Sequence, residues 1–310
     1  MQQSKGVDGA VRFLPENIRQ QISSISSFQK SEIEEIRFRL GQPIAAVTQS
    51  GMRYIDKGKL IPFVWRPNLP VINRDEIDSI FYACCNDSVY SCEEQIRQGY
   101  LTLPGGHRAG ICGTAVLQSG QITAIREITS VNLRIAREIK GAAKELLPLF
   151  QKTLPSFLLA GAPGTGKTTL LRDLARSLPD TPAGKDKKIA VIDERREISG
   201  ISQGQTFYDL GPNCDILDGY PKCEGILMAL RALSPQVIFC DELGGMEDAK
   251  AIEMGANAGV QFVATIHAGS KEELFRRPQI GVLLDIGIFS HIALLCPSGP
   301  RGIIQEWVSL

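Results

Sequence analysis

From about residue 157 onward, apolar residues come in short continuous runs rather than alternating with polar ones: "FLLA" from Phe157 to Ala160, "IAVI" from Ile189 to Ile192, "VIFC" from Val237 to Cys240, and "FVATI" from Phe262 to Ile266. Runs of this length predict strands buried on both faces, as in a parallel sheet covered by helices. Between them the period changes. "KTTLLRDLARSL" sets Leu170, Leu171, Leu174, Ala175 and Leu178 on one helical face. Strand, loop and helix in repetition predict a doubly wound α/β domain.

The first 136 or so residues read differently. "EEIRFRLG" alternates like a half-buried strand, "PIAAVT" follows it, and "GMRYIDKGKLI" predicts a hairpin with turn glycines. Ile77, Ile80, Phe81 and Cys84, then Cys92, Gln95 and Ile96, fall at helical spacing, with Gly99 closing the second helix. "HRAGICGTAVLQSGQITAI" predicts a further hairpin. This half is α+β. The segment "REIKGAAKELLPLFQKTLPS" joins the halves as an amphipathic helix punctuated by Pro155. The expected organisation is an α+β domain over 1–138, a linker helix over 139–156 and an α/β domain over 157–310.

Composition narrows the class without setting a function. A chain of 310 residues is long enough for two separate cores. Lys plus Arg and Asp plus Glu number 34 each, so the formal net charge is zero and gives no general attraction to nucleic acid or anionic lipid. The start lacks the apolar core of a signal peptide, and no run reaches the roughly 20 apolar residues of a membrane span. A cytoplasmic protein is expected. The eight cysteines are dispersed, with no C-x-x-C pair to frame a zinc site, and read as reduced thiols. Cys240, inside an apolar run, reads as packing.

Candidate chemistry begins at "GAPGTGKTT", Gly161, Ala162, Pro163, Gly164, Thr165, Gly166, Lys167, Thr168 and Thr169. The residues fit G-x-x-x-x-G-K-[ST] between a predicted strand and a predicted helix. Bare positions let the backbone curl so that its N–H groups converge on a phosphate, and the following helix adds its positive N-terminus. Lys167 is expected to reach the β- and γ-oxygens, and the Thr168 hydroxyl to hold Mg²⁺. The cofactors implied are ATP and Mg²⁺, and the fold implied is a P-loop NTPase, RecA-like, behind a smaller α+β domain.

Further on, "QVIFCDE" ends an apolar strand in two acids. Asp241 is expected in the Mg²⁺ shell and Glu242 as the general base that polarises the attacking water. Two more segments reach the same sheet edge, where open α/β sheets collect ligands. "IAVIDERREISG" brings Asp193, Glu194, Arg195 and Arg196, and "FVATIHAGS" brings Thr265 and His267. His107, in a glycine turn, and His291, on a late strand, carry no chemistry in this reading.

In that order these blocks resemble the secretion-type ATPases, the ring motors of type II and type IV secretion and pilus retraction. "IDERREI" is similar to their acidic box, "ALRALSPQVIFCDEL" to their second nucleotide motif, and "AIEMGANAGVQFVATIHAGS" to the helix and strand ending in their histidine box. "EEIRFRLGQPIAAVTQSGMRYI" is similar to the strand pair opening their smaller domain. A sporulation branch of these ATPases, from endospore-forming bacteria, is resembled more fully through "GGHRAGICGTAV", "NLRIARE" and "DILDGYPKCEGILMALRALSPQVIFCDELG". The resemblance implies a hexameric ATPase, peripheral on the cytoplasmic, mother-cell side of a membrane channel that leads to the forespore. It also implies that Asp193 joins the metal site, that Glu194 and His267 tune metal and water, and that Arg108 and Arg134, with Arg126, offer positive charge to the γ-phosphate.

Departures from the family pattern exist. Where pilus-retraction motors carry an arginine after the glutamate, this chain has "ELGGMED", and "LGPNCDILDG" holds Asn213 where a basic residue is expected. Two other classes stay open at the level of sequence. A nucleotide-gated scaffold with little turnover shares every binding residue. A nucleic-acid translocase is disfavoured by the neutral charge and the lack of a basic, aromatic-rich module.

Overall fold

The computed structural model describes residues 6–201, 204 and 206–308. The chain divides into two compact units. The first runs to Arg137 and takes in residues 204, 206 and 207, and the second comprises Glu138–Ile201 and the residues from Tyr208.

The first unit opens with three short helices that the hydrophobic pattern did not announce, α1 (Val7–Val11), α2 (Glu16–Ser23) and α3 (Ser27–Glu32). Strands β1 (Ile33–Arg39), β2 (Ala45–Thr48), β3 (Gly51–Asp56) and β4 (Lys59–Pro62) follow, then α4 (Arg74–Cys84), α5 (Glu93–Arg97), β5 (Tyr100–Leu103), β6 (His107–Gln118) and β7 (Gln121–Arg134). They form one antiparallel sheet in the order β4-β3-β2-β1-β7-β6-β5. Every second residue enters the core: Ile36 and Phe38 from β1, Leu101 and Leu103 from β5, Ala109 and Ile111 from β6, Val131 and Leu133 from β7. Helices α2 and α4 answer with Ile18, Ile22, Ile77, Ile80 and Phe81. A capping box starts α4: the Asn73 side chain accepts from the Glu76 N–H at 2.9 Å, and the Asn73 N–H donates back to Glu76 at 3.0 Å.

The second unit contains β8 (Phe157–Gly161), α6 (Lys167–Ser177), β9 (Ile189–Asp193), β10 (Cys214–Asp218), α7 (Lys222–Ala232), β11 (Val237–Cys240), α8 (Met246–Asn257), β12 (Gln261–His267), α9 (Lys271–Phe275), α10 (Pro278–Asp285), β13 (His291–Leu295) and β14 (Ile304–Val308). The sheet order is β10-β9-β11-β12-β8-β13-β14, parallel except for β14 at the edge. Burial on both faces explains the continuous apolar runs. Leu158, Ala190, Ile238, Phe262 and Ile292 point into one core with α7, α8 and α10. Phe157, Ile189, Val237, Val263 and Ala293 point into the other with α6. Each of the larger side chains among them contributes about 1.5–3 kcal/mol on burial. All eight cysteines are free thiols, and burial in this core pushes the Cys240 thiol up to about 12.

The expected linker helix over 139–156 is not formed. Residues 138–156 make turns and one 3-10 turn, Leu147–Phe150. The amphipathic pattern is nevertheless used, because Ala143, Leu146 and Phe150 are buried in the α6-side core. A buried carboxylate diverts the backbone: Asp173 accepts from the N–H groups of Gly141 at 3.0 Å and Ala143 at 2.8 Å. Gly141 sits at φ 83°, outside helical backbone, the Ala143 N–H is taken from the ladder, and Pro148 has no N–H to give one.

His107 opens β6 and is 1% exposed. Its Nδ1 accepts from the Ala136 N–H at 2.9 Å, so the ring hydrogen resides on Nε2. Burial, assisted by the Arg12 charge, lowers its pKa to about 4. The unfolded chain, with an ordinary histidine, takes up a proton first as pH falls. The stability this residue supplies is therefore complete above pH 6.5 and is lost on descent toward pH 4, up to about 3 kcal/mol. Chemical denaturation of wild type and His107→Gln between pH 7 and pH 4.5 should show a steeper loss for wild type, and equal slopes would refute this assignment.

Candidate functional site

The strand order places the site. β12 lies between β8 and β11, so the loop after β8, the acids after β11 and the end of β12 stand side by side at one sheet edge. His267 is in register with Gly161, and Ala264 with Cys240. The loop turns through Gly164 at φ 78° and Gly166 at φ 98°, backbone that a side chain would strain. A Cβ on Gly166 would lie 3.1 Å from the Gly302 nitrogen, and the Gly302 N–H donates to the Thr165 carbonyl at 2.8 Å. The turn between β13 and β14 thus buttresses the loop from behind.

Lys167, the first residue of α6, is buried, and its ammonium has three acceptors: the Gly161 carbonyl at 2.8 Å, the Ala162 carbonyl at 3.0 Å and His267 Nδ1 at 3.1 Å. An ammonium can only donate, so Nδ1 accepts and the imidazole hydrogen is on Nε2. That Nε2 lies 2.7 Å from Glu242 Oε1 and donates to it. The other Glu242 oxygen is paired with Arg195. Burial opposes the charge on Glu242. The His267 hydrogen bond and the charges of Arg195 and Lys167 outweigh it and hold the carboxyl below its ordinary range. Burial lowers the pKa of Lys167, with Asp241 and Glu242 partly compensating.

Asp241 joins the three chain segments. Its Oδ2 accepts from Thr168 Oγ1 at 2.6 Å, and its Oδ1 accepts from Thr265 Oγ1 and, at 3.1 Å, from the Glu242 N–H. A magnesium ion bound with a nucleotide asks for one or two protein oxygens beside phosphate and water. Thr168 and Asp241 present two hard oxygens of that kind next to the helix N-terminus, so the donor set fits Mg²⁺. Among the described residues no group of three or more His, Cys, Asp or Glu forms a metal cluster, and a nucleotide-bound ion does not require one.

Asp193, expected in the metal shell, is otherwise engaged. Its Oδ1 accepts from the N–H groups of Glu197 at 2.9 Å and Ile198 at 3.1 Å, and its Oδ2 from the Ser199 N–H at 2.7 Å and hydroxyl at 2.6 Å. With its oxygens saturated and 2% exposed, it shapes the loop after β9. Glu194 lies 3.3 Å from Lys222 Nζ and touches the site through that lysine. Arg196 pairs with Asp218 at 3.2 Å. In the first unit, Arg108 on β6 and Arg134 on β7 are cross-strand neighbours. The Arg108 guanidinium lies 3.7 Å from the Tyr100 ring centre, and Arg134 lies 3.5 Å from Glu35.

Sequence reading missed Lys222. One signal was present: Lys222 is the first residue of α7, directly after Pro221, where the helix dipole disfavours a cation. A lysine in that place needs acids around it, and here it has them.

Two substitutions separate the roles of the two aspartates. Asp193→Asn should cost about 2–3 kcal/mol of stability, because backbone donors then face an amide nitrogen, while leaving the magnesium dependence of nucleotide binding unchanged. Asp241→Asn should change that dependence. Calorimetric titration with and without magnesium, beside thermal unfolding, checks both; a magnesium defect in Asp193→Asn would restore it to the metal site.

Comparison with known proteins identifies the family and the fold. The family described as "Sporulation stage III, protein AA" matches residues 6–307. Stage III sporulation protein AA of Bacillus subtilis is 35% identical over 298 residues, covering 94% of this chain and 92% of that protein. Among solved structures, the ATPase DotB of Yersinia pseudotuberculosis aligns with a TM-score of 0.61 at 16% identity, over 91% of this chain and 76% of DotB. The pilus retraction motor PilT, solved with bound ADP, aligns with a TM-score of 0.55 at 16% identity, over 84% and 74%. At those identities the structures establish the fold alone, and among the described residues no helix is long and apolar enough to cross a membrane. The extent of the sequence match, with a secretion-ATPase fold in which an antiparallel α+β unit precedes a P-loop α/β unit along the chain, makes this chain a member of the stage III sporulation protein AA family.

Proposed function

We propose that the chain is a Mg²⁺-dependent ATP hydrolase that works in sporulation. The observation that carries this reading is the convergence of Lys167, Thr168, Asp241, Glu242 and His267 at one sheet edge, within a continuous chain of hydrogen bonds.

The triphosphate would lie along Gly161–Thr169, with loop N–H groups around the β-phosphate. Lys167 exchanges its two carbonyl acceptors for phosphate oxygens. Magnesium, held by Thr168 and by Asp241 on its outer side, would neutralise charge on the β- and γ-phosphates. Glu242 accepts the proton of the attacking water, and its lowered pKa keeps it ionised for that task. His267, bonded to both Lys167 and Glu242, couples the lysine's position to the carboxylate's, as a sensor of the γ-phosphate would.

In the biological setting we place the protein in the cytoplasm of the mother cell, as a hexameric ring against a membrane channel that leads to the forespore. Charge from Arg108 or Arg134 would complete each nucleotide site. This rests on family membership and on the secretion-ATPase fold. A scaffold that binds ATP with little turnover is favoured by one observation: Glu242 is held by both Arg195 and His267, which ties up the base until something displaces them.

Lys167→Ala should abolish nucleotide binding and phosphate release together. Glu242→Gln should bind ATP as tightly as wild type while turnover falls by about 10²–10⁴-fold. Single-turnover phosphate release, measured beside equilibrium binding of a fluorescent ATP analogue, decides. Full activity in both variants rejects the hydrolase, and binding without release in wild type selects the scaffold.

A further inference from the structure

Glu242 carries an unusual backbone. Its φ is 51°, in the left-handed region that residues with a side chain rarely adopt. The conformation must be held by its surroundings, and five of the six polar backbone groups in residues 242–244 are tied. The Glu242 N–H donates to Thr265 Oγ1 at 2.8 Å, and the Leu243 N–H to the Thr265 carbonyl at 2.8 Å. The Gly244 N–H donates to Asp248 Oδ2 at 2.8 Å, and the Gly244 carbonyl accepts from Gln279 at 3.1 Å.

The fifth tied group is the Glu242 carbonyl, and it accepts from Lys222 Nζ at 2.7 Å. Lys222 is 6% exposed, and its other two neighbours are Glu194 at 3.3 Å and Asp248 at 3.6 Å. Two protons are donated in hydrogen bonds, to the Glu242 carbonyl and to Glu194, and Asp248 adds its charge at ion-pair distance, so two carboxylates compensate one buried cation. Asp248 extends the hold, since the oxygen that faces Lys222 also takes the Gly244 N–H. Lysine, helix α8 and the acid-bearing loop therefore form one brace. A neutral residue at 222 would leave the Glu242 carbonyl without its donor and set Glu194 and Asp248 near each other without a cation between them.

Resting on the hydrolase reading above, we propose that Lys222 is a positioning residue for the reaction: by holding the Glu242 carbonyl it keeps that residue in its left-handed conformation and so aims the carboxylate toward His267 and the phosphate loop. Lys222 does not touch nucleotide in this account. Its loss is felt in the chemical step rather than in binding, because Lys167, Thr168 and the loop amides are unaffected.

The test compares wild type, Lys222→Met and Lys222→Arg as full-length proteins. Lys222→Met should lower kcat by about 100-fold, the size of effect that a misplaced reacting group produces, with KM for ATP within about twofold. Lys222→Arg, which retains a buried donor cation, should recover most of that loss. A crystal structure of Lys222→Met gives an answer that does not depend on turnover: Glu242 should leave positive φ. Wild-type kcat in Lys222→Met, or Glu242 still near its original φ in that crystal, overturns the proposal. Should Lys222→Met not fold, Lys222→Arg decides alone: kcat within about fivefold of wild type is expected, and a 100-fold loss with Glu242 still in the left-handed region overturns it. Absence of turnover in wild type would instead sink the hydrolase reading, while the crystal structure would still judge Lys222.

Discussion

The carboxylate of Asp241 is the point on which the site depends. It takes one hydroxyl from the helix that follows the phosphate loop and another from the middle of the neighbouring strand, and it caps the N–H of the residue after it. Three segments far apart in sequence are thereby held within hydrogen-bond distance. The contact is possible because β12 separates β8 from β11 by a single strand, so that Thr265 stands between the loop and the acids. The Thr265 hydroxyl is buried completely, and burial without a partner would be costly. Asp241 is the partner.

Around this point the polar groups are arranged in a resting state. Lys167 donates to two carbonyls of its own loop, and His267 spans the distance from that lysine to Glu242. Arg195 occupies the far side of Glu242. Each bond compensates a charge that the low-dielectric edge of the sheet would otherwise penalise. Each is also one that a triphosphate, with its many acceptor oxygens, can replace. The same cations that these bonds compensate are thus the ones that suit the loop to an anion.

Much of the second unit was legible because its signals are local. Continuous apolar runs marked β8, β9, β11 and β12, and Gly161–Thr168 is one uninterrupted pattern whose geometry depends on few distant residues. What escaped was decided by contacts between distant positions. Residues 139–156 have the periodicity of a helix, but Asp173, about 30 residues on, holds the Gly141 and Ala143 N–H groups in a turn with Gly141 at positive φ, and Pro148 interrupts the ladder. Asp193 sits at a strand end like Asp241, and only the fold reveals that the loop after it consumes both of its oxygens. Lys222 looks like an ordinary surface lysine until Glu242, Glu194 and Asp248 are folded around it. Strand β10 and helices α1 to α3 are short and mixed in character, so their pattern carried little information.

The central claim is that the loop holds a triphosphate and that Lys167 changes partners to do so. A crystal structure with Mg²⁺ and a non-hydrolysable ATP analogue tests it most directly. In that crystal Lys167 Nζ should be displaced from the Gly161 and Ala162 carbonyls onto phosphate oxygens, with the Thr168–Asp241 hydrogen bond opened and His267 released from the lysine. Analogue bound elsewhere, or Lys167 still on its two carbonyls beside an occupied loop, would contradict it.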